Sequence, residues 1–280
     1  MKILVLGTAA ATSMPLVFCN CDVCKKSRML KGKNIRTRSS ILINDEFLID
    51  LNPDICTQAN ANNVDLGKIK YLAITHSHFD HFDATHFITR WSEYAPKNLN
   101  HLNVICSKET AEDICTQVKE VKFDIFSDYW KDNMNYDLNL LSYGDEITIG
   151  DYKIVGLDSK HDDRIKSLVY IISYKDKNIF YGTDLLKITE ESWNILKKYK
   201  LDVVFLDQTY GVGFNNGGHL DAQQVSDIVS KMHKESIIDN NSLVYATHIS
   251  HEGNDIYDEM EKLAIKNNYH IAYDGLKIEI

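Results

Sequence analysis

A chain of 280 residues with 44% apolar side chains can bury a large core, as one large domain or two small ones. Its net charge of −9 provides no general basic face to displace counterions from phosphate backbones, which argues against a nucleic-acid partner. No apolar run approaches the roughly 18–20 residues of a membrane helix, so no membrane partner is expected.

Composition shows no break along the chain. The only prolines are Pro15, Pro53 and Pro96, so there is no proline-rich linker. One domain over residues 1–280 is the expectation. The opening MKILVLG is too short for a secretory apolar region and has no small-residue cleavage site after it. A cytoplasmic protein is expected, in which six cysteines need not form disulfides.

KILVLG reads as a buried strand stopped by glycine. SSILINDEFLIDLN reads as two strands about an Asn-Asp turn. IKYLAIT is a further buried strand, and helical spacing begins at His81 and runs through Phe87, Ile88 and Trp91. LNVIC is a strand and KETAEDICTQVKEV a helix. Period-two strands follow in DEITIGDYKIVGLDS and SLVYIISYKDKNIFYGTD. TEESWNILKKY is a helix with Thr189 at its N-cap, and LDVVFLD is a strand. DAQQVSDIVSKM is a helix in which Asp221 and Gln224 fit a capping box. SLVYATH is a strand, DIYDEMEKLAIKN a helix, and IAYDGLKIEI a closing hairpin over Asp274-Gly275. Many strands with helices at intervals predict two sheets flanked by helices, an α/β architecture.

Four of the eleven histidines fall between His76 and His86. In THSHFDH, His76 and His78 are two apart at a strand end, so both imidazoles face one way and can reach one metal. Asp80 and His81 point elsewhere and can serve a second. One loop cannot complete both shells. Three metal-competent residues follow other predicted strands: His161 after VGLDSK, Asp184 after NIFYGT, and His248 after SLVYAT. A carboxylate has two oxygens, so Asp184 can bridge two ions about 3.5–4 Å apart. Taken singly, each residue also reads as a polar strand end making a turn.

This ligand set resembles the metallo-β-lactamase fold superfamily, a four-layer αββα sandwich of binuclear hydrolases with two mixed β-sheets between helices. The resemblance implies that His76, His78 and His161 hold one divalent ion, Zn or Mn. Asp80, His81 and His248 would hold the other, with Asp184 bridging.

FCNCDVCKKS places Cys19, Cys21 and Cys24 in a C-x-C-x2-C loop. In a reducing compartment this suggests tetrahedral zinc short of one ligand; a local disulfide or three free thiols is the alternative. His251, three residues beyond His248, is a candidate fourth ligand. The loop resembles that of PhnP-type phosphodiesterases, which carry a structural zinc with a later histidine. That likeness spans nearly the whole chain, except about residues 107–145, whose acids and aromatics are expected to shape a different pocket wall. The N-terminal third also resembles PqqB-type cofactor-biosynthesis proteins.

The resemblance implies a binuclear phosphodiesterase acting on a small cyclic phosphate or diester, with a phosphoribosyl cyclic phosphate the first substrate to test. The alternatives are a non-hydrolytic PqqB-like protein and a transfer-RNA 3′-processing-type nuclease. A homodimer is also implied. Asp80 and His219 are the candidate catalytic residues. His219 lies in NNGGHLD, where the family places a histidine beside the substrate, and it can protonate the leaving alkoxide. Arg36 and Arg38 share one side of an extended IRTRSS, either as an exposed strand face or as a bidentate phosphate grip. His86, His101, His233 and His270 are read as structural or solvated. Cys56, Cys106 and Cys115 are read as small buried hydrophobes.

Overall fold

The computed structural model describes residues 1–162, 164–214 and 217–280. Six strands precede the chain's midpoint: β1 (Lys2–Gly7), β2 (Ser40–Ile43), β3 (Phe47–Ile49), β4 (Tyr71–Ala73), β5 (Leu102–Cys106) and β6 (Tyr136–Leu140). Seven follow in β7 (Glu146–Ile149), β8 (Tyr152–Asp158), β9 (Leu168–Tyr174), β10 (Lys177–Gly182), β11 (Val203–Asp207), β12 (Leu243–Thr247) and β13 (His270–Ile271). The last strand, β14 (Lys277–Glu279), returns to the first group. The two seven-stranded sheets run β14-β1-β2-β3-β4-β5-β6 and β13-β12-β11-β10-β9-β8-β7.

Alternation along the strands builds the layers. Ile3 and Val5 of β1 and Val203 and Phe205 of β11 face one core between the sheets. Their neighbours Leu4, Leu6, Val204 and Leu206 face outward onto helices. The first sheet is covered by α2 (Ile55–Asn62), α3 (Ala84–Phe87), α4 (Lys108–Gln117) and α5 (Asp128–Met134). The second is covered by α6 (Glu190–Leu196), α7 (Ala222–Lys234) and α8 (Tyr257–Lys266). The remaining helix, α1 (Asp22–Leu30), follows the cysteine loop and sends Val23 against that outer core. This is the αββα sandwich. Among the described residues no helix is long and apolar enough to cross a membrane.

Local signals work where they are strong. Asn44 and Asp45 both adopt positive φ in the β2–β3 turn. Thr189 accepts from the Ser192 N–H, and Asp221 with Gln224 forms the full capping box of α7.

Several expectations need correction. The C-terminal segment is not a hairpin: β13 pairs parallel to β12 in one sheet, whereas β14 pairs antiparallel to β1 in the other. Residues 272–276 carry the chain between sheets, a crossing that local turn chemistry cannot distinguish from a hairpin. The helix after THSHFDH begins at Ala84, because Asp83 caps it through the Thr85 N–H. Helices α1, α2 and α5 and strand β6 had not been anticipated. Within 107–145, Glu109 and Tyr143 line a cavity with Asp162, whose carboxylate lies 3.9 Å from His78, and not the cavity of the metal cluster itself. Phe123, Ile125, Trp130 and Tyr136 are buried in the outer core of the first sheet. Cys106 is buried, but Cys115 is only half-buried and Cys56 is exposed.

Candidate metal centre and its surroundings

Strands β10, β11 and β12 are parallel, with Gly182 opposite Leu206 and Asp207 opposite Thr247. Asp184, Asp207 and His248 therefore emerge at one sheet edge. The loop after β8 carries His161 to the same place. The β4 loop is tied there by the Leu168 N–H, which donates to the Thr75 carbonyl at 2.9 Å.

One ligand atom each from His76, His78, His161 and Asp184 lie within 4.8 Å of one another. Asp80, His81 and His248 form a second such group. The structure thus brings together all seven residues of the expected pair of shells. Asp184 sits between the groups: Oδ1 is 3.3 Å from His161 Nε2, and Oδ2 is 2.7 Å from His81 Nε2 and 3.0 Å from His248 Nε2.

The Nδ1 atoms are held from behind. His81 Nδ1–H donates to Asp50 Oδ2 at 2.7 Å. His161 Nδ1–H donates to the Gly218 carbonyl at 2.9 Å. His76 Nδ1 lies 3.0 Å from Thr75 Oγ1, and His248 Nδ1 2.7 Å from Thr209 Oγ1. Engaging Nδ1 selects the tautomer whose Nε2 lone pair points inward.

Those inward atoms test whether metal fits. His76 Nε2, His81 Nε2, His248 Nε2 and Asp184 Oδ2 are buried and lack a hydrogen-bond partner. The 2.7 and 3.0 Å approaches to Asp184 have hydrogen-bond length but not its angle. Buried polar atoms converging in this way are costly unless a cation lies among them, either a metal ion or a proton on His81. The donor set suits divalent ions: imidazole and carboxylate accept Zn and Mn alike.

Charge and burial oppose one another throughout the cluster. Burial, aided by His81, holds His76 well below the ordinary imidazole range. For His81 burial acts downward, but the Asp184, Asp80 and Asp50 carboxylates outweigh it and hold it well above that range. Burial would raise Asp80 and Asp184, yet the surrounding histidines hold both well below the usual carboxylate range. Asp50, Asp184 and His248 all take positive φ, at 65°, 50° and 58°. Such backbone is sparsely populated for residues with a Cβ and persists where surrounding structure enforces it.

His219 donates from Nδ1 to Asp207 Oδ2 at 2.8 Å. Burial acts to lower its pKa, but Asp207 outweighs this and the imidazole is pushed up to about 9. His219 also lies within 4.8 Å of ligand atoms of Asp184 and His248. The same Nδ1 lies 3.9 Å from Asp184 Oδ1. Asn215 and Asn216 of its NNGGHLD motif lie outside the described residues.

Cys19, Cys21, Cys24 and His251 form a separate cluster, again with ligand atoms within 4.8 Å. His251 Nδ1 is 3.4 Å from Cys21 Sγ and 3.7 Å from Cys19 Sγ. The Cys21 and Cys24 N–H groups donate to Cys19 Sγ and Cys21 Sγ. Burial acts against the Cys21 thiolate, but the Cys24 N–H and His251 bring its pKa down to about 6. Burial pushes Cys24 up to about 11.

Arg36 and Arg38 do not reach the site. Arg36 is fully buried and donates to Thr8 Oγ1 and the Ala272 carbonyl; Arg38 pairs with Asp54 at 3.0 Å. Neither is an exposed strand face or a phosphate grip. His86, His101 and His270 have partners in Pro53, Asp137 and Glu261. The supporting residues Asp50, Asp207, Thr75 and Thr209 were missed by the sequence reading. The signal was available for the two aspartates: FLID and VFLD each end an apolar strand in Asp, as does the segment before Asp184.

A sandwich of two mixed sheets with clustered imidazoles and carboxylates at one edge defines a metallo-β-lactamase fold. The chain belongs to that superfamily: the family described as "Beta-lactamase superfamily domain" matches residues 45–249. Among solved structures it is similar to a diphosphatase from the PhnP family, 21% identical, TM-score 0.75, covering 100% of this chain and 97% of the other. Zinc-bound PqqB from Methylobacterium extorquens is 16% identical with TM-score 0.72 over 100% of both chains. The short form of human tRNase Z is 15% identical with TM-score 0.68, covering 100% and 99%. An octanoyltransferase of Porphyromonas gingivalis is 35% identical over 85 residues, which is 29% of this chain but only 16% of that protein.

Proposed function

We propose that this protein is a binuclear metal-dependent phosphodiesterase that hydrolyses a small cyclic phosphate or phosphodiester. His76, His78 and His161 would hold one ion, Asp80, His81 and His248 the other, and Asp184 both. When bound, such ions, Zn or Mn, supply Lewis acidity and bring the ionisation of water near neutral pH. The observation that carries the reading is His219 beside this cluster with Asp207 behind it. A nucleophile is not enough for an alkyl diester; the departing alkoxide also needs a proton. Asp207 orients the ring through Nδ1 and favours its protonated form, and Nε2 then delivers the proton to the leaving oxygen.

The cavity around these residues measures about 280 Å3, just below the roughly 300–1,000 Å3 usual for small-molecule sites. That size supports a compact substrate. The thiolate cluster with His251 supports a structural zinc, since soft thiolates at these separations suit tetrahedral coordination. Six free cysteines in the structure are in keeping with a cytoplasmic location.

The test is turnover of bis(4-nitrophenyl) phosphate and of ribose cyclic phosphates by protein loaded with Zn or Mn, with lactones and acyl esters as controls. Phosphodiester hydrolysis with three ions per chain is expected. Fewer than three ions per chain with no phosphodiester turnover would favour the PqqB-like alternative.

A further inference from the structure

The thiolate cluster holds its sulfurs in unlike surroundings. Cys21 is the N-cap of α1 and is exposed, whereas Cys24, in the first turn of that helix, is fully buried. The Cys24 N–H donates to Cys21 Sγ at 3.5 Å, and the two sulfurs lie within 4.8 Å of one another. Residues three apart in a helical turn have Cα atoms about 5–6 Å apart, inside the roughly 4.4–6.8 Å that a disulfide spans. Cys19 and Cys21 have a single residue between them, so a bridge there closes a smaller and more strained ring. The backbone of α1 is already anchored. Val23 packs on the outer core, and Arg28 donates from Nη2 to the Leu16 carbonyl at 2.7 Å. An exposed sulfur above a buried one, on a fixed helix start, is the arrangement of an attacking and a resolving cysteine.

We propose that Cys21 and Cys24 are a reversible disulfide site, and that closing the bridge expels the zinc ion from the thiolate cluster. The inference rests on the structural-zinc part of the reading above and adds oxidation to it. Hydrogen peroxide is the oxidant in view. The Cys21 sulfur attacks one peroxide oxygen, the O–O bond breaks, and the departing hydroxide takes a proton to become water. The Cys24 sulfur then attacks the sulfenic sulfur of Cys21. The S–S bond forms, the S–O bond breaks, and a second hydroxide leaves as water after taking a proton. The two sulfurs lose two electrons, and the peroxide gains them. Cys19 and His251 are then all that remains of four ligands, too few for tetrahedral zinc. A thiol reductant reverses the change, as befits a transient disulfide in a reducing compartment. The segment carrying His251 has other ties. The Ile249 N–H donates to the Thr8 carbonyl at 2.8 Å, Ser250 N–H to Thr209 at 3.2 Å, and Gly211 N–H to Glu252 at 2.9 Å. Oxidation therefore costs stability while leaving His248 in place.

The test treats the zinc-loaded full chain with a small excess of hydrogen peroxide. Released zinc is read with a chelating dye, and disulfides are located by peptide mass mapping. One zinc equivalent should leave as the Cys21–Cys24 bridge forms, and dithiothreitol with added zinc should restore the starting state. Tm should fall on the order of 5 °C. Cys24→Ser cannot close the bridge, so a sulfenic acid should persist on Cys21 and be trapped by dimedone. Cys56→Ser removes an exposed thiol outside the cluster and should change none of this. A bridge between Cys19 and Cys21, or cluster thiols that survive while Cys56 is oxidised, overturns the proposal. A Cys21–Cys24 bridge that closes with zinc retained overturns the expulsion. Should Cys24→Ser fail to fold, the wild-type peptide map and zinc release decide alone. If the cluster holds no zinc before oxidation and the bridge still forms, the structural-zinc reading and the expulsion fall while the disulfide site stands. Phosphodiester turnover enters none of these readouts, so failure of the activity reading is seen separately.

Discussion

His219 and Asp207 stand 2.8 Å apart at the edge of a cluster that has enough imidazole without them. A proton donor matters when the leaving group is a poor one. His219→Ala should therefore lose about 10²–10⁴-fold on a ribose cyclic phosphate. It should lose much less on a nitrophenyl diester, whose phenolate departs unaided, and metal content should stay the same. Equal losses on both substrates would assign His219 to binding or to a metal shell. Asp184 is a different case, because its two oxygens face different histidines. An amide is neutral and offers one good ligand atom. Asp184→Asn should thus stay folded yet cost more than the roughly 10–100-fold typical of losing an outer supporting group. Wild-type turnover at matched metal loading would refute a bridging role. Asp50 is such an outer group, taking the His81 Nδ1 proton and the Thr75 N–H and hydroxyl. For Asp50→Asn, equilibrium dialysis should show metal affinity reduced about 10–100-fold.

At the scale of elements, the short segment after β12 carries His248, His251 and Glu252 within five residues. The first faces the metal cluster, the second the thiolates, the third the cavity wall. The cysteine loop thus ties a distant part of the chain to the segment that shapes the site. Cys21→Ser should release one zinc equivalent and lower Tm on the order of 5 °C, while the chemical step on a nitrophenyl diester changes little. Undiminished zinc content and an unchanged Tm would mean that the cluster holds no structural ion. Capping and turn residues define the elements themselves. Thr189, Asp221 and the Asn44-Asp45 turn were legible because each acts on backbone groups within three residues. Helix α2 and strand β6 were not, since neither announces itself through a strong period or cap. Asp54 makes no side-chain cap bond to α2, and β6 forms by pairing with β5.

For the whole molecule, the two candidate metal environments differ in softness. Thiolates select zinc, whereas imidazole and carboxylate take Zn or Mn. Protein reconstituted in excess Mn with trace Zn should hold two Mn and one Zn per chain by elemental analysis. A ratio of three Mn, or of one metal in total, would contradict the assignment. Without ions, the candidate cluster has four buried, unpartnered polar atoms among the described residues. Metal that binds only the folded state should raise Tm with concentration, reaching about 4 kcal/mol at a thousandfold excess over Kd.

The sequence by itself determined the candidate ligand types and their clustering. His76, His78, Asp80 and His81 are neighbours in the chain, and strand ends are legible from apolar runs, so His161, Asp184 and His248 could be placed at an edge. The cysteine spacing was equally local. Only the tertiary structure decided what stands behind and beside those residues. Asp50 reaches His81 across 31 positions, and Asp207 reaches His219 across 12. Arg36 is consumed by the Ala272 carbonyl across 236 positions, and β14 crosses to the first sheet to pair with β1. Such partnerships depend on which strands become neighbours. Backbone pairing and packing of the two sheets settle that choice for the whole chain at once, and no short stretch of residues records it.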